Sequence, residues 1–179
     1  IFRREQLINI VTQATAQGRH HIIRDVLQRA INDKTLRVMG YRCPVPAWSL
    51  QSVRSYYSFN MDMLNSALRA QLFDPNLPVY TKVRDDMPTR YGLGSKVKNS
   101  LIADGSLIEG EVENCIIFRG VKVGKGAKLQ NCIIMQDSVI GENSNLSYVV
   151  TDKDVQIQNE RTLMGFQSYP VFIAKGSIV

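Results

Sequence analysis

Large apolar residues recur at a fixed beat through the second half of the chain. Ile117, Val123, Leu129, Ile134, Ile140 and Leu146 are separated by 6, 6, 5, 6 and 6 positions. Two positions before each stands a small or slim residue: Cys115, Val121, Ala127, Cys132, Ser138 and Ser144. A longer phrase lies over this beat. Asn99-Ser100-Leu101-Ile102 returns as Asn114-Cys115-Ile116-Ile117, as Asn131-Cys132-Ile133-Ile134 and more loosely as Tyr148-Val149-Val150-Thr151, at intervals of 15, 17 and 17 residues. Residues two apart on a strand point the same way. Each hexad therefore reads as one short strand with two inward residues and a turn. Three hexads make a triangular coil, and coils stack about 4.8 Å apart through backbone hydrogen bonds. A small residue must sit beside a large one, because a narrow prism has no room for two large ones. The pattern predicts a mainly β protein with a parallel β-helix over residues 95–179. Gly124 and Gly141, one coil apart, are expected at corners that need a permissive backbone.

The same register fixes the outward residues. Along one side of the prism they are Leu101, Ile116, Ile133 and Val150. Along a second they are Leu107, Lys122, Val139 and Gln156, and along a third Glu111, Lys128, Asn145 and Thr162. The second and third sides are mixed or polar, but the first is wholly apolar. A stacked apolar ladder is a continuous patch, unlike scattered surface residues. It is expected to be an interface, docking either on the preceding part of the chain or on another subunit.

Before the repeats the period changes to that of helices. Glu5 to Ala16 carries Leu7, Ile8, Val11 and Ala14 on one face and closes at Gly18; Ile22 to Ile31 forms a second amphipathic helix. Residues 1–3 and Thr35 to Met39 read as strand pieces. Pro44 and Pro46 enforce a loop. Ser52 or Ser55 caps a third helix that runs to about Leu72, with Leu64, Ala67 and Leu68 inward, and Asp74-Pro75 stops it. This divides the chain into 1–82, the tail end of an α/β domain, a linker at 83–94, and the β-helix at 95–179. The chain opens on Ile1 rather than Met and is expected to be a piece of a longer protein; its first residues do not read as a secretory leader.

Composition sharpens a few points. The formal net charge is +6. All of the excess lies before residue 83, since residues 95–179 balance nine basic against nine acidic side chains. Scattered basic residues without interleaved aromatics argue against a nucleic-acid surface. No apolar run approaches the roughly 20 residues of a membrane span. Cys115 and Cys132 occupy inward positions on adjacent coils and are expected to be buried, stacked, reduced thiols, which fits a cytoplasmic protein. With no CxxC and no nearby His, no metal site is expected.

At this point the motifs carry a resemblance. The order of helix, linker and N-[SC]-x-I coils resembles the C-terminal half of the glucose-1-phosphate adenylyltransferase family. His20-His21-Ile22-Ile23-Arg24-Asp25 is similar to that family's His-Asp-Phe-Gly-Lys-Asp segment. Tyr56-Tyr57-Ser58-Phe59-Asn60-Met61-Asp62-Met63 resembles its Tyr-Trp-x-Ala-Asn-x-Asp-Leu helix. Leu77-Pro78-Val79-Tyr80-Thr81 and Pro88-Thr89-Arg90-Tyr91 resemble its Trp-Pro-Ile-Tyr-Thr and Pro-Pro-Ala-Lys-Phe. The resemblance implies that the β-helix is left-handed, as in hexapeptide-repeat proteins, and that residues 1–82 are the remnant of a nucleotidyltransferase domain. It also implies a reaction of ATP with glucose 1-phosphate, giving ADP-glucose and pyrophosphate with Mg²⁺ neutralising phosphate charge.

The departures bear on activity. Catalytic members carry Trp-Arg-Asp-Val-Gly-Thr just before the Tyr-Trp helix. The corresponding window here is Ala47-Trp48-Ser49-Leu50-Gln51-Ser52, with Ser49 in place of the Asp and Gln51 in place of the Gly. A hydroxyl does not hold a divalent cation as a carboxylate does. The Gly-rich phosphate loop of such enzymes is not found in this chain. No catalytic residue and no cofactor are therefore assigned to this chain, which is expected to be inactive alone. It most resembles the D-type subunit of glycogen synthesis, a regulatory or assembly partner of the catalytic subunit in a homo- or hetero-oligomer.

Two other readings stay open. A hexapeptide-repeat acyltransferase would use a His at a coil edge, but His20 and His21 both lie outside residues 95–179. An inert β-helix scaffold is the other. Arg84, Arg90, Lys96 and Lys98 cluster in sequence at the junction and are the candidate effector-binding residues, the plainer alternative being a solvated linker.

Overall fold

A computed structural model describes residues 2–43 and 46–179. It resolves into two compact units, residues 1–44 and 45–179.

The first unit is helical. Helix α1 spans Arg4–Ala16, and a π-helical stretch, Ile22–Leu27, runs directly into α2, Gln28–Asn32. These match the periodicity. Among the described residues of this unit only Ala30 is a buried apolar side chain, and Leu7, Ile8, Val11, Ile23 and Ile31 are exposed. Thr35 to Met39 forms no strand, and neither do Phe2 and Arg3. A strand exists only when a neighbour takes its backbone hydrogen bonds, and none lies alongside here. Ile1, Pro44 and Val45 lie outside the described residues.

The second unit is a parallel β-solenoid with two helices laid against it. Among the described residues, fifteen short strands form three parallel sheets of five, each strand pairing with its equivalent in the next coil. The register is the one read from the sequence. Leu101 pairs with Ile116, Ile116 with Ile133, and Ile133 with Val150. Leu107, Lys122, Val139 and Gln156 form the second ladder, and Glu111, Lys128, Asn145 and Thr162 the third.

Inside, every small and every large position of the hexads from Cys115 to Leu146 is buried. The small polar members find partners in the next coil. Ser138 Oγ donates to the carbonyl of Asp152 at 3.2 Å, and Ser144 Oγ to that of Gln158 at 2.9 Å. The backbone N–H of Cys132 donates to Cys115 Sγ at 3.3 Å, so the two thiols are stacked as the 17-residue spacing requires.

The corners are turned differently from the expectation. The left-handed backbone falls on the Asn that opens each repeat, with φ of 44° at Asn99, 51° at Asn114 and 54° at Asn131. Asn tolerates this region because its short amide bonds locally. Gly124 and Gly141 are not among the positive-φ glycines. They are glycine because the next coil passes too close: a Cβ on Gly124 would lie 2.9 Å from Glu142 N, and one on Gly141 2.5 Å from Asn159 N.

The boundaries also shift. The solenoid begins inside the predicted linker, where Arg90–Tyr91 pairs with Leu107–Ile108 and Gly105 N donates to Met87 O at 2.6 Å. Residues 45–82 group with the solenoid rather than with the preceding helices. Apolar side chains between Trp48 and Leu72 account for this, because they pack on it.

Candidate functional site

Helix α3, Val53–Asp62, is positioned by a capping box: Ser55 N donates to Ser52 Oγ at 3.1 Å while Ser52 N donates to Ser55 Oγ at 3.0 Å. The helix ends sooner than the sequence predicts. Asn65 accepts from Ala67 N at 2.9 Å and starts a second helix, α4, Ser66–Leu72. An Asn side chain that bonds the backbone ahead of it favours a cap over a helix interior.

The buried face of α3 rests on the apolar ladder. Tyr57 and Met63 form one cluster with Ile116, Ile133 and Val150, flanked by half-buried Leu101, Leu68 and Phe59. Ile133 is 0 % exposed and Val150 1 %. Three of the four ladder residues, Ile116, Ile133 and Val150, are thus covered within the chain, and Leu101 at the end of the row is half-covered. At roughly 25 cal/mol per Å² of apolar surface, burying such a ladder contributes several kcal/mol to holding the helix down. Tyr57 Oη donates to the carbonyl of Asn131, and burial pushes the Tyr57 phenol well above its ordinary pKa.

The window before the helix is structural. Trp48 Nε1 donates to Asp62 Oδ2 at 3.2 Å, and its ring lies 4.7 Å from that of Phe59. Ser49 and Gln51, which follow Trp48, are exposed. Among the described residues, no group of three or more His, Cys, Asp or Glu side chains comes together to hold a metal.

The four basic residues at the junction are dispersed. Arg84 faces Asp86 at 3.4 Å. Arg90 lies on the second sheet, opposite Leu107. Lys96 and Lys98 stand on the third sheet, each bonded to the next coil: Lys96 Nζ to Glu111 at 2.9 Å, Lys98 Nζ to Glu113 at 2.8 Å. The hydrogen bond from Lys96 lowers the Glu111 pKa, and the bond to Glu113 raises that of Lys98. Three of the four already face carboxylates.

A feature the sequence reading passed over lies beside α3. A groove of about 760 Å³ runs between the helix and the corner of the prism where Asn99, Asn114, Asn131 and Tyr148 stack. Arg54, Ser58 and Asp62 line the helix side, and Phe166 to Ser168 close one end. Asn99 Nδ2 donates to Asn114 Oδ1 at 2.7 Å. The signal was present in the repeated Asn, whose value as a left-handed corner is a known turn preference.

Stacked hexad coils of this register define a hexapeptide-repeat β-solenoid, and residues 83–168 match the family model described as "GlmU-like, C-terminal hexapeptide". Among curated proteins the chain is similar to the glycogen biosynthesis protein GlgD of Bacillus subtilis (strain 168). The two are 46% identical over 154 residues, which is 85% of this chain and 45% of the relative. It is 53% identical over 68 residues to GlgD of Geobacillus stearothermophilus, covering 38% of this chain and 20% of that protein. The glucose-1-phosphate adenylyltransferase of Thermotoga maritima is 31% identical over 107 residues, 60% of this chain and 25% of the relative. The chain spans less than half the length of these relatives. This is the similarity to which the motifs pointed.

Proposed function

We propose that the chain is the C-terminal part of a regulatory or assembly subunit of glucose-1-phosphate adenylyltransferase, supporting ADP-glucose synthesis for glycogen. The observation that carries this reading is the 46% identity to a protein named for glycogen biosynthesis. The window Ala47 to Ser52 agrees with it: Ser49 stands where catalytic members carry a carboxylate, and Trp48 braces α3 instead. The Mg²⁺ of the family reaction does not fit the residues present, for the candidate position offers a hydroxyl and, among the described residues, no acidic cluster accompanies it. The part this chain plays is mechanical: a rigid solenoid carrying a docked helix, suited to transmit contacts within an assembly. The partner is a catalytic subunit of the same family.

The test co-expresses the full-length protein with a catalytic glucose-1-phosphate adenylyltransferase subunit and follows pyrophosphate release from ATP and glucose 1-phosphate. The expected result is co-purification and an altered rate or effector response, with no release by the present chain alone. Turnover by this chain alone, or failure of the two full-length proteins to associate, would overturn the proposal.

A further inference from the structure

The groove beside α3 has the chemistry of a carbohydrate site. We infer that it binds a neutral, linear oligosaccharide along the stacked corners of the solenoid. This goes beyond the assembly reading and does not depend on it.

The first argument is the lining. Each Asn side chain offers both a donor and an acceptor, and sugar hydroxyls need both. Asn99 and Asn114 hold each other through one bond, which fixes the orientation of the row. Among the described residues the Asn131 side-chain amide has no protein hydrogen-bond partner, while its backbone is tied on both sides: the N–H donates to Glu113 O at 3.1 Å and the carbonyl accepts from Tyr57. Equivalent positions on successive coils are about 4.8 Å apart, close to the length of one pyranose ring, so a linear glycan can present similar hydroxyls to successive corners.

The second argument is charge. Among the described residues, Arg54 and Asp62 are the only charged ones lining the groove. One guanidinium against one carboxylate leaves no net field for an anion. A phosphate or nucleotide would meet Asp62 without a surplus of cations, whereas a neutral polar ligand meets no such penalty.

The third argument is the placement of aromatics. Tyr148 occupies the left-handed corner with φ of 53°, where the preceding coils use Asn. For a bulky residue this is a strained backbone, and such strain concentrates at functional positions. Its ring lies 6.2 Å from that of Tyr57 at one wall of the groove. At the end, Phe166 is held out by a tight turn in which Phe166 N donates to Tyr169 O at 3.1 Å and Tyr169 N to Phe166 O at 2.9 Å. Phe166 is 74% exposed although its backbone is pinned. Rings presented beside amides suit the C–H faces and hydroxyl edges of a sugar.

The experiment titrates the 179-residue chain with malto-, cello- and chito-oligosaccharides of increasing length, by calorimetry and by chemical-shift perturbation. One series is expected to bind, with affinity rising with chain length and perturbations at Asn114, Asn131 and Phe166. Ser58→Trp, an exposed change on the groove side of α3, should abolish binding while the unfolding midpoint stays unchanged. Asn114→Asp keeps the acceptor for Asn99 but removes a donor and adds charge, and should weaken binding at least about tenfold. Absence of binding by all three series would overturn the inference, as would binding by both variants as tight as that of the parent. Competition by inorganic phosphate or ATP would make the groove an anion site and overturn it too.

Discussion

The phenol of Tyr57 reaches the carbonyl of Asn131 at 2.9 Å, across 74 residues of sequence. Asn131 is a left-handed corner of the solenoid, so this bond pins α3 to the feature that turns each coil. Tyr57→Phe keeps the ring but leaves the carbonyl unpaired in a buried place. It should cost about 1–3 kcal/mol in urea denaturation, without a change in slope.

The same bond carries a pH dependence. Burial raises the Tyr57 pKa above its ordinary value of 10.0. A group raised in the folded state contributes its full share below the unfolded pKa and loses it as pH rises toward the folded one. The Tyr57 contribution should therefore be constant through neutral pH and be lost above about pH 10, on top of an earlier fall from the buried Cys115 thiol, whose pKa is also raised. Tyr56 is also raised by burial, so a residual slope should persist in Tyr57→Phe. A fall no steeper in the parent than in the variant would show that Tyr57 is not buried as described.

Ile133 lies at 0 % exposure beneath the helix. Ile133→Ala should cost about 2–5 kcal/mol. Ile133→Glu forces a carboxylate against Tyr57 and Val150, which expels the helix before it unfolds the solenoid. Hydrogen exchange should show residues 53–72 losing protection while the rungs from 111 to 151 keep theirs. Uniform loss of protection would mean that helix and solenoid form one cooperative unit.

The solenoid was legible because its chemistry is local and repeated: a Cys115-to-Ile117 step recurs as Cys132-to-Ile134, and one register error would turn every such pair outward. The apolar ladder was legible as a surface needing cover, though the sequence left open whether the cover was intramolecular. It did not show that residues 53–72 belong with the solenoid, since an amphipathic helix does not name its partner. The strand read at Thr35 to Met39 failed because propensity cannot supply a neighbour. The groove went unread because Asn99, Asn114 and Asn131 are unremarkable singly and meet only when the coils stack.

The three cysteines divide by burial. Cys43 is exposed, and Cys115 and Cys132 are buried. Burial pushes the Cys115 thiol well above its ordinary pKa, which withholds the reactive thiolate. A thiol reagent at neutral pH should label Cys43 at once and the other two only upon unfolding. Cys132→Phe should cost about 1–3 kcal/mol or more by overpacking, because the small position faces a large neighbour in a closed prism. Rapid labelling of three thiols in folded protein would contradict the inward register.

Gly141 separates two reasons for a glycine. Its added Cβ would lie 2.5 Å from Asn159 N and 2.6 Å from Gln158 O, all backbone of the adjoining coil, so no flexible side chain can give way. The same residue donates its N–H to Ile157 O at 2.8 Å, so moving it also lengthens a rung. Gly18 is the contrasting case: φ is +65° and nothing lies within 4 Å of a built Cβ. Gly18→Ala should therefore cost only the left-handed strain, about 1–2 kcal/mol, partly offset by a stiffer unfolded chain. Gly141→Ala should cost about 3 kcal/mol or more, because two coils must part. Paired thermal melts of both variants check this, with exchange rates at Ile140, Ile157 and Gln158 locating the damage. If Gly141→Ala melts within the range of Gly18→Ala and those rungs stay protected, conformational freedom rather than close coil approach is what the glycine supplies.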